Sequence, residues 1–272
     1  MVYVCTLSKE IQEQAKRELN EDERRRDEDI EHIRKWIQKQ PHLKIRTDDE
    51  FILRMLRGCK FSLERTKEKI DMHYTIKGAI PEWFKNRDPE NSKVREIFKL
   101  GVMFALKEKD DKGRTIFMFR QSAYSPDLHH VDDVVKAMYI LVDVYAEIDE
   151  VSQITGLVMI LDMKDLTAGH MLQFPPTVMK KSMVLWQVRV YGSDYEKLFE
   201  DVPKRIMPKE YGGEGGTIQE ISDYWLDIID SKRKWILEDQ KNVVDESKRP
   251  GKPKGSEDLF GLEGSFRKLN VD

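Results

Sequence analysis

The seven residues "GLVMILD", from Gly156 to Asp162, restrict the fold more than any other stretch of the chain. A continuous apolar run this short, opened by a glycine and closed by a carboxylate, fits a strand buried on both faces. Just before it, Asp132 to Asp149 carries a helical pattern. Its apolar positions Val134, Val135, Ala137, Met138, Leu141, Val142, Val144, Tyr145 and Ile148 cover more than half of the circumference, so this helix is expected to be covered on more than one side. Further upstream, "GVMFALKEKDDKGRTIFMFRQ" alternates with a period of two around Asp110 to Gly113, which predicts a β-hairpin. Strand, helix, strand and helix in this order predict an α/β sheet with helices packed on it.

The segment before the hairpin has a different period. Ser8 is placed to cap a helix through Ile11, Ala15 and Leu19, and Ile30, Ile33, Trp36 and Ile37 form one stripe of a second helix that ends before Pro41. Thr47 and Glu50 read as a capping box for a third helix, with Phe51, Ile52, Met55 and Leu56 as its buried stripe and Gly58 as its stop. Ser62 opens a fourth through Leu63, Thr66, Ile70 and Tyr74. The expected organisation is a helical module over residues 1–88, an α/β domain over 89–240, and a disordered tail over 241–272, rich in Lys, Gly, Pro, Ser and Glu. Leu259, Phe260, Leu262 and Phe266 form a weak docking patch within that tail. Near the end of the α/β part come a short helix at Asp194 to Phe199, the loop "PKEYGGEGG", and a last helix capped by Thr217 and Glu220.

With 47 basic and 50 acidic residues the chain lacks the basic balance of a nucleic-acid binder. Cys5 and Cys59 form neither a metal-ligand spacing nor a disulfide framework, which fits a reducing compartment and a cytoplasmic location. No apolar run is long enough for a signal-peptide core or a membrane span, so membrane contact is expected to be peripheral. No metal and no cofactor is expected. The histidines do not pair around an acid at helical spacing, "GGEGG" lacks the spacing of a phosphate loop and reads as a turn, and lone His170 reads as structural. Asp162 has no second carboxylate or nucleophile beside it and reads as a cap for nearby amides, so no catalytic set can be assembled.

Three stretches carry a family resemblance. "DDEFILRMLRGCKFSLERTKEKI" resembles the helical amino-terminal module of the CRAL-TRIO lipid-binding proteins, and "VMILDMKDLTAGHMLQFPPTVMKK" and "PKRIMPKEYGGEGGTI" resemble the central strand with its helix and the closing loop of their lipid-binding domain. The resemblance runs from about Asp27 to Lys234 and is to the α-tocopherol transfer and cellular retinaldehyde-binding branch with its insect relatives. It implies a mixed β-sheet floor with flanking helices around a lipid cavity. It implies binding and intermembrane transfer of a hydrophobic lipid, tocopherol-, retinoid- or phosphoinositide-like, without catalysis, by a cytoplasmic protein that associates transiently with membranes.

By position against the family's motifs, cavity lining falls on Met103 and Phe119 of the hairpin, Met138 and Val142 of the long helix, Met159 and Leu161 of the central strand, Leu166 after it, and Phe174, Leu185 and Trp186 beyond. Lys180, Lys181, Lys204, Arg205 and Lys209 are the implied contacts to a phosphoinositide headgroup or membrane surface.

One departure from the family stands out. Pro176 to Leu198 reads "PTVMKKSMVLWQVRVYGSDYEKL", and a helical pattern passes into a strand-like one at Gln187 and Val188 without turn residues. In relatives a strand and the mobile gate helix lie at this point. The chain is therefore expected to lack an internal segment, to have a sheet one strand short and an uncovered cavity, and to self-associate where the family implies a monomer. The alternative is an interaction or scaffold protein that keeps the fold without a closed cavity; an enzyme acting on lipids is a more distant third.

Overall fold

The computed structural model describes residues 3–173 and 195–254. They form two compact units, residues 3–86 with 237–254, and residues 87–173 with 195–236.

The first unit is helical. α1 (Lys9–Leu19) starts at Ser8, whose hydroxyl accepts the Ile11 amide at 3.3 Å. α2 (Arg26–Gln38) buries Ile30, Ile33 and Ile37. α3 (Asp49–Arg57) is not opened by the Thr47 and Glu50 box. Its cap is Asp48, which accepts the Phe51 amide at 3.0 Å while Arg46 holds its carboxylate at 2.6 and 2.7 Å. A carboxylate accepts more strongly than a hydroxyl, and the adjacent cation fixes it in place. α4 (Leu63–Ala79) follows Ser62, and α5 (Pro81–Phe84) closes the run. Phe51, Ile52, Met55 and Leu56 are all buried, as the stripe predicts, beside Ile70 and Tyr74.

A buried ion cluster supports this core. Glu21 accepts from Arg57 Nε at 2.8 Å and from Arg26 Nε at 2.8 Å, and both guanidinium groups lie over the Tyr3 ring.

The expectation of a disordered tail from residue 241 is overturned through residue 254. β1 (Leu43–Lys44) pairs antiparallel with β5 (Val243–Val244), and Arg249 and Lys254 both bond to Asp71 at 2.7 Å. Composition signalled disorder there because the stretch buries little of its own. It is held by backbone pairing and by a carboxylate distant in sequence. The docking patch at Leu259, Phe260, Leu262 and Phe266 lies outside the described residues.

The second unit holds the sheet. α6 (Ser92–Lys99) leads into β2 (Met103–Ala105) and β3 (Thr115–Arg120), an antiparallel hairpin in which Asp110 receives the amides of Lys112 and Arg114. α7 (Val131–Ile148) is the crossover to β4 (Leu157–Asp162), which lies parallel to β3. The described strands run in the order β2–β3–β4, a mixed sheet. α8 (Ser152–Thr155) precedes β4 and α9 (Ala168–Gln173) follows it. α10 (Tyr195–Phe199) and two 3-10 turns, Lys204–Ile206 and Lys209–Tyr211, lead to α11 (Ile218–Ser231), whose Thr217 and Glu220 form the expected capping box.

"GGEGG" is a packed turn. A Cβ on Gly213 would lie 2.1 Å from the Met207 carbonyl oxygen, and one on Gly215 would lie 2.3 Å from that of Ile206. Only glycine allows backbones to approach so closely.

β4 departs from its reading as a strand buried on both faces. Val158 and Ile160 pack against the core, but Leu157, Met159 and Leu161 are 42%, 39% and 44% exposed. Side chains alternate between the two faces of a strand, so these three residues share one face of β4, and that face is only partly covered. The expected cover of α7 on several sides also has gaps: Val134, Ala137, Leu141 and Val144 are buried, whereas Tyr139 and Ile148 are exposed.

Candidate functional site: an apolar floor with one open side

Register places four of the expected lining residues on one face of the sheet. Met103 lies opposite Phe119, and Phe119 opposite Leu161; in the next row Ala105 lies opposite Phe117, and Phe117 opposite Met159. Burial across this floor is graded. Met103 and Phe119 are buried, while Met159 and Leu161 are half-exposed.

The wall at the covered end is α7. Met138, Val142 and Tyr145 recur at helical spacing on one stripe. Tyr145 packs edge-on to Phe117 with ring centroids 5.0 Å apart, and Met138 and Val142 are half-buried against the same core. Leu166 is half-buried in the segment after β4.

A polar cluster ties this wall to the floor. The Tyr145 hydroxyl bonds to both Thr115 Oγ1 and Asp149, and Lys109 Nζ reaches Asp149 at 2.7 Å. Burial pushes the Asp149 carboxyl up, but Lys109 and Tyr145 outweigh it, so the group sits below its ordinary range. The Tyr145 phenol is pushed up by burial and by the neighbouring carboxylate. Nothing in the sequence spacing announces this cluster, because its members come from β3, the hairpin turn and the end of α7.

The opposite face of the sheet is held by the closing loop. Asp162 accepts the Tyr211 hydroxyl on one oxygen and the Lys164 amide at 2.9 Å on the other, the capping role its isolation suggested. Burial and Asp162 push the Tyr211 phenol up. His170 is structural in the same sense: Nδ1 accepts the Thr167 amide at 3.2 Å, and Nε2 donates to the Tyr124 carbonyl at 2.9 Å.

Lys204, Arg205 and Lys209 are all exposed on the closing loop. They are not equally free. Arg205 pairs with Asp111 at 2.5 Å, and Lys204 Nζ sits 5.6 Å from the Phe199 ring centroid. Phe174, Leu185, Trp186, Lys180 and Lys181 lie outside the described residues, as does the Gln187 to Val188 junction. Among the described residues no group of His, Cys, Asp or Glu side chains could hold a metal ion, and no helix is long and apolar enough to cross a membrane.

Comparison with known proteins bears on this floor. Residues 99–191 match the CRAL/TRIO domain, and residues 22–94 match the Pinta-like UBA domain. The CRAL/TRIO match takes in about a third of the chain.

The chain is similar to alpha-tocopherol transfer protein-like of Mus musculus, 25% identical over 258 residues, covering 81% of this chain and 74% of the relative. The Homo sapiens protein of the same name is 25% identical over 254 residues, covering 79% and 73%. Clavesin-1 of Pongo abelii is 27% identical over 175 residues, covering 64% of this chain and 49% of that protein.

These lengths differ in an informative way. The alignment with the mouse relative takes in 81% of the 272 residues here, about 220, across 258 positions, so roughly 38 positions have no residue in this chain. In the clavesin alignment, 64% of the chain is about 174 residues against 175 positions, and almost none are unfilled. The CRAL/TRIO match ends at residue 191, just beyond Val188.

Proposed function

We propose that this chain binds a hydrophobic lipid between the sheet floor and α7 and carries it between membranes, and that it lacks the family's strand and gate between Gln187 and Val188. The observation that carries the reading is the graded floor, apolar from Met103 to Leu161 and open at β4. Its cargo class is an elongated or ring-bearing lipid of tocopherol, retinoid or phosphoinositide type, in keeping with the transfer proteins it resembles. Met103, Phe119, Met138, Val142, Met159, Leu161 and Leu166 serve as lining, joined by Phe174, Leu185 and Trp186. Lys204, Arg205 and Lys209, with Lys180 and Lys181, meet a headgroup or an anionic membrane surface during transfer. The action is carriage, not catalysis, in the cytoplasm with transient membrane contact.

An internal gap explains why the floor is open. About 38 unfilled positions are enough for a strand and a helix, and the domain match ends beside the junction. A lipid gains about 25 cal/mol for each Å² of apolar surface taken out of water, so a floor without cover holds its cargo less tightly than a closed cavity.

The test is lipid extraction and mass spectrometry of the purified protein, beside a version carrying the mouse relative's segment between Gln187 and Val188. The restored version is expected to retain lipid and this chain to release it faster into acceptor vesicles. No bound lipid in either version would defeat the carrier reading and favour a scaffold role. Equal retention would defeat the internal gap.

A further inference from the structure

The two edges of the sheet are built differently. β2 is short, all three of its residues are buried, and α11 protects its outer side: Trp225 Nε1 donates to the Ala105 carbonyl at 2.6 Å. β4 is six residues long and, among the described residues, no strand pairs with its outer side. Thr115 N bonds to Gly156 O and Gln121 N to Asp162 O, so the even-numbered residues of β4 face β3. The amides and carbonyls of Leu157, Met159 and Leu161 therefore point outward. These are the residues whose side chains are exposed. From Leu157 to Leu161 the edge carries no charge, no proline and no bulge, the usual devices against strand addition.

We propose that this edge is a homodimer interface, with β4 of one copy pairing antiparallel with β4 of a second across a two-fold axis at Met159. A two-fold interface must be self-complementary, and this register is. Leu157 faces Leu161 of the other copy, Val158 faces Ile160, and Met159 faces its own mate. Each of the three outward-facing residues exchanges a pair of hydrogen bonds with its opposite. Asp162 falls opposite Gly156, where a Cβ would meet nothing within 4 Å, so no carboxylate faces a carboxylate.

The occupant is a second copy and not an open-ended array, because the β2 edge is already protected by Trp225. The pairing joins two three-stranded sheets into one and places the two apolar floors side by side. It goes beyond lipid carriage and requires of it only that β4 be a true edge.

Sedimentation equilibrium across a concentration series tests the proposal. The parent chain is expected to show a monomer–dimer equilibrium. Met159→Lys and Met159→Glu, each at a half-exposed position, place like charges opposite each other and should raise the dimer Kd by at least about tenfold. Mixing the two should restore association through Lys–Glu pairing, which a general loss of folding cannot do. Leu128→Lys, at an 82% exposed loop position, should leave the equilibrium unchanged.

A crosslink fixes the register. Residues exchanging hydrogen bonds in an antiparallel pair have Cα atoms about 5.5 Å apart, within disulfide range. In a Cys5→Ser, Cys59→Ser background, Met159→Cys should link to itself on oxidation. Leu157→Cys should not, yet should link to Leu161→Cys when the two are mixed. A parent monomeric at every concentration, Lys and Glu variants that dimerise as the parent does, or Leu157→Cys linking to itself as readily as Met159→Cys would overturn the proposal. Lipid measured on the same samples reads the carrier function separately: a lipid-loaded monomer overturns the dimer alone, and a lipid-free dimer overturns the carrier alone.

Discussion

α3 and β4 are both short, strongly apolar elements, and they end in opposite states. The apolar stripe of α3 is closed over, with Leu56 and Ile52 at 0% exposure, while three of the five apolar residues of β4 stay near 40%. A helix presents one stripe, and two neighbouring helices can cover it. A strand inside a sheet needs a neighbour on each edge and a layer on each face, so burying it takes more partners than burying a helical stripe does. The helical module is thus expected to behave as a finished core and β4 as an unfinished one, and substitutions should separate the two.

The largest effect is expected where the helical module is most tightly closed. Glu21→Ala leaves Arg57, 1% exposed, without its carboxylate, and truncating one partner of a buried pair costs about 3–5 kcal/mol. Leu56→Ala should follow at about 2–5 kcal/mol, as a core truncation with little room for collapse. Urea denaturation of both variants measures these losses. A loss under about 0.5 kcal/mol in either would place the module among loosely packed helices and remove the contrast with β4.

An intermediate effect is expected at the seam between wall and floor. The Asp149 carboxyl is depressed in the folded state, so its contribution is fully present above the unfolded value and is lost as pH falls through the folded one. Lys109→Met removes a partner that depresses it and should cost about 1.5–3 kcal/mol near pH 7, the range for hydrogen bonds to charged groups. The variant's stability should also fall less than that of the parent between about pH 5 and pH 2. Parallel stability curves for the two proteins would show that Lys109 does not hold Asp149.

These contrasts also mark how far the sequence could be read. Patterns decided within a few residues were legible: the Ser8 cap, the α3 stripe, the hairpin turn at Asp110, and the Thr217 box each depend on neighbours along the chain. The floor was legible in part, since Met103, Phe119, Met159 and Leu161 fall on one face through a period of two. What stayed hidden depends on groups far apart in sequence. Asp71 holds Arg249, Trp225 guards Ala105, and Tyr211 reaches Asp162, and no spacing encodes those meetings. The run "GLVMILD" misled for a related reason. Its composition is that of a strand buried on both faces, but burial also requires a partner from elsewhere in the chain.

The smallest effect is expected at β4, and it sharpens the contrast most. Leu157→Thr and Leu161→Thr keep a strand-compatible residue at sites 42% and 44% exposed, where little burial is lost. The change in stability should stay within about 0.5 kcal/mol, as for surface substitutions remote from caps and cores. The same pair of changes should weaken the fluorescence of an apolar dye, because exposed apolar area is what such a dye reads. Two measurements on one variant then separate an open floor from a packed one. Unchanged stability with reduced dye binding is the signature of surface held open for cargo or for a second copy. A stability loss of about 2 kcal/mol or more at Leu161 would mean that this face of β4 is covered in solution, and β4 would then belong with α3 among the closed elements.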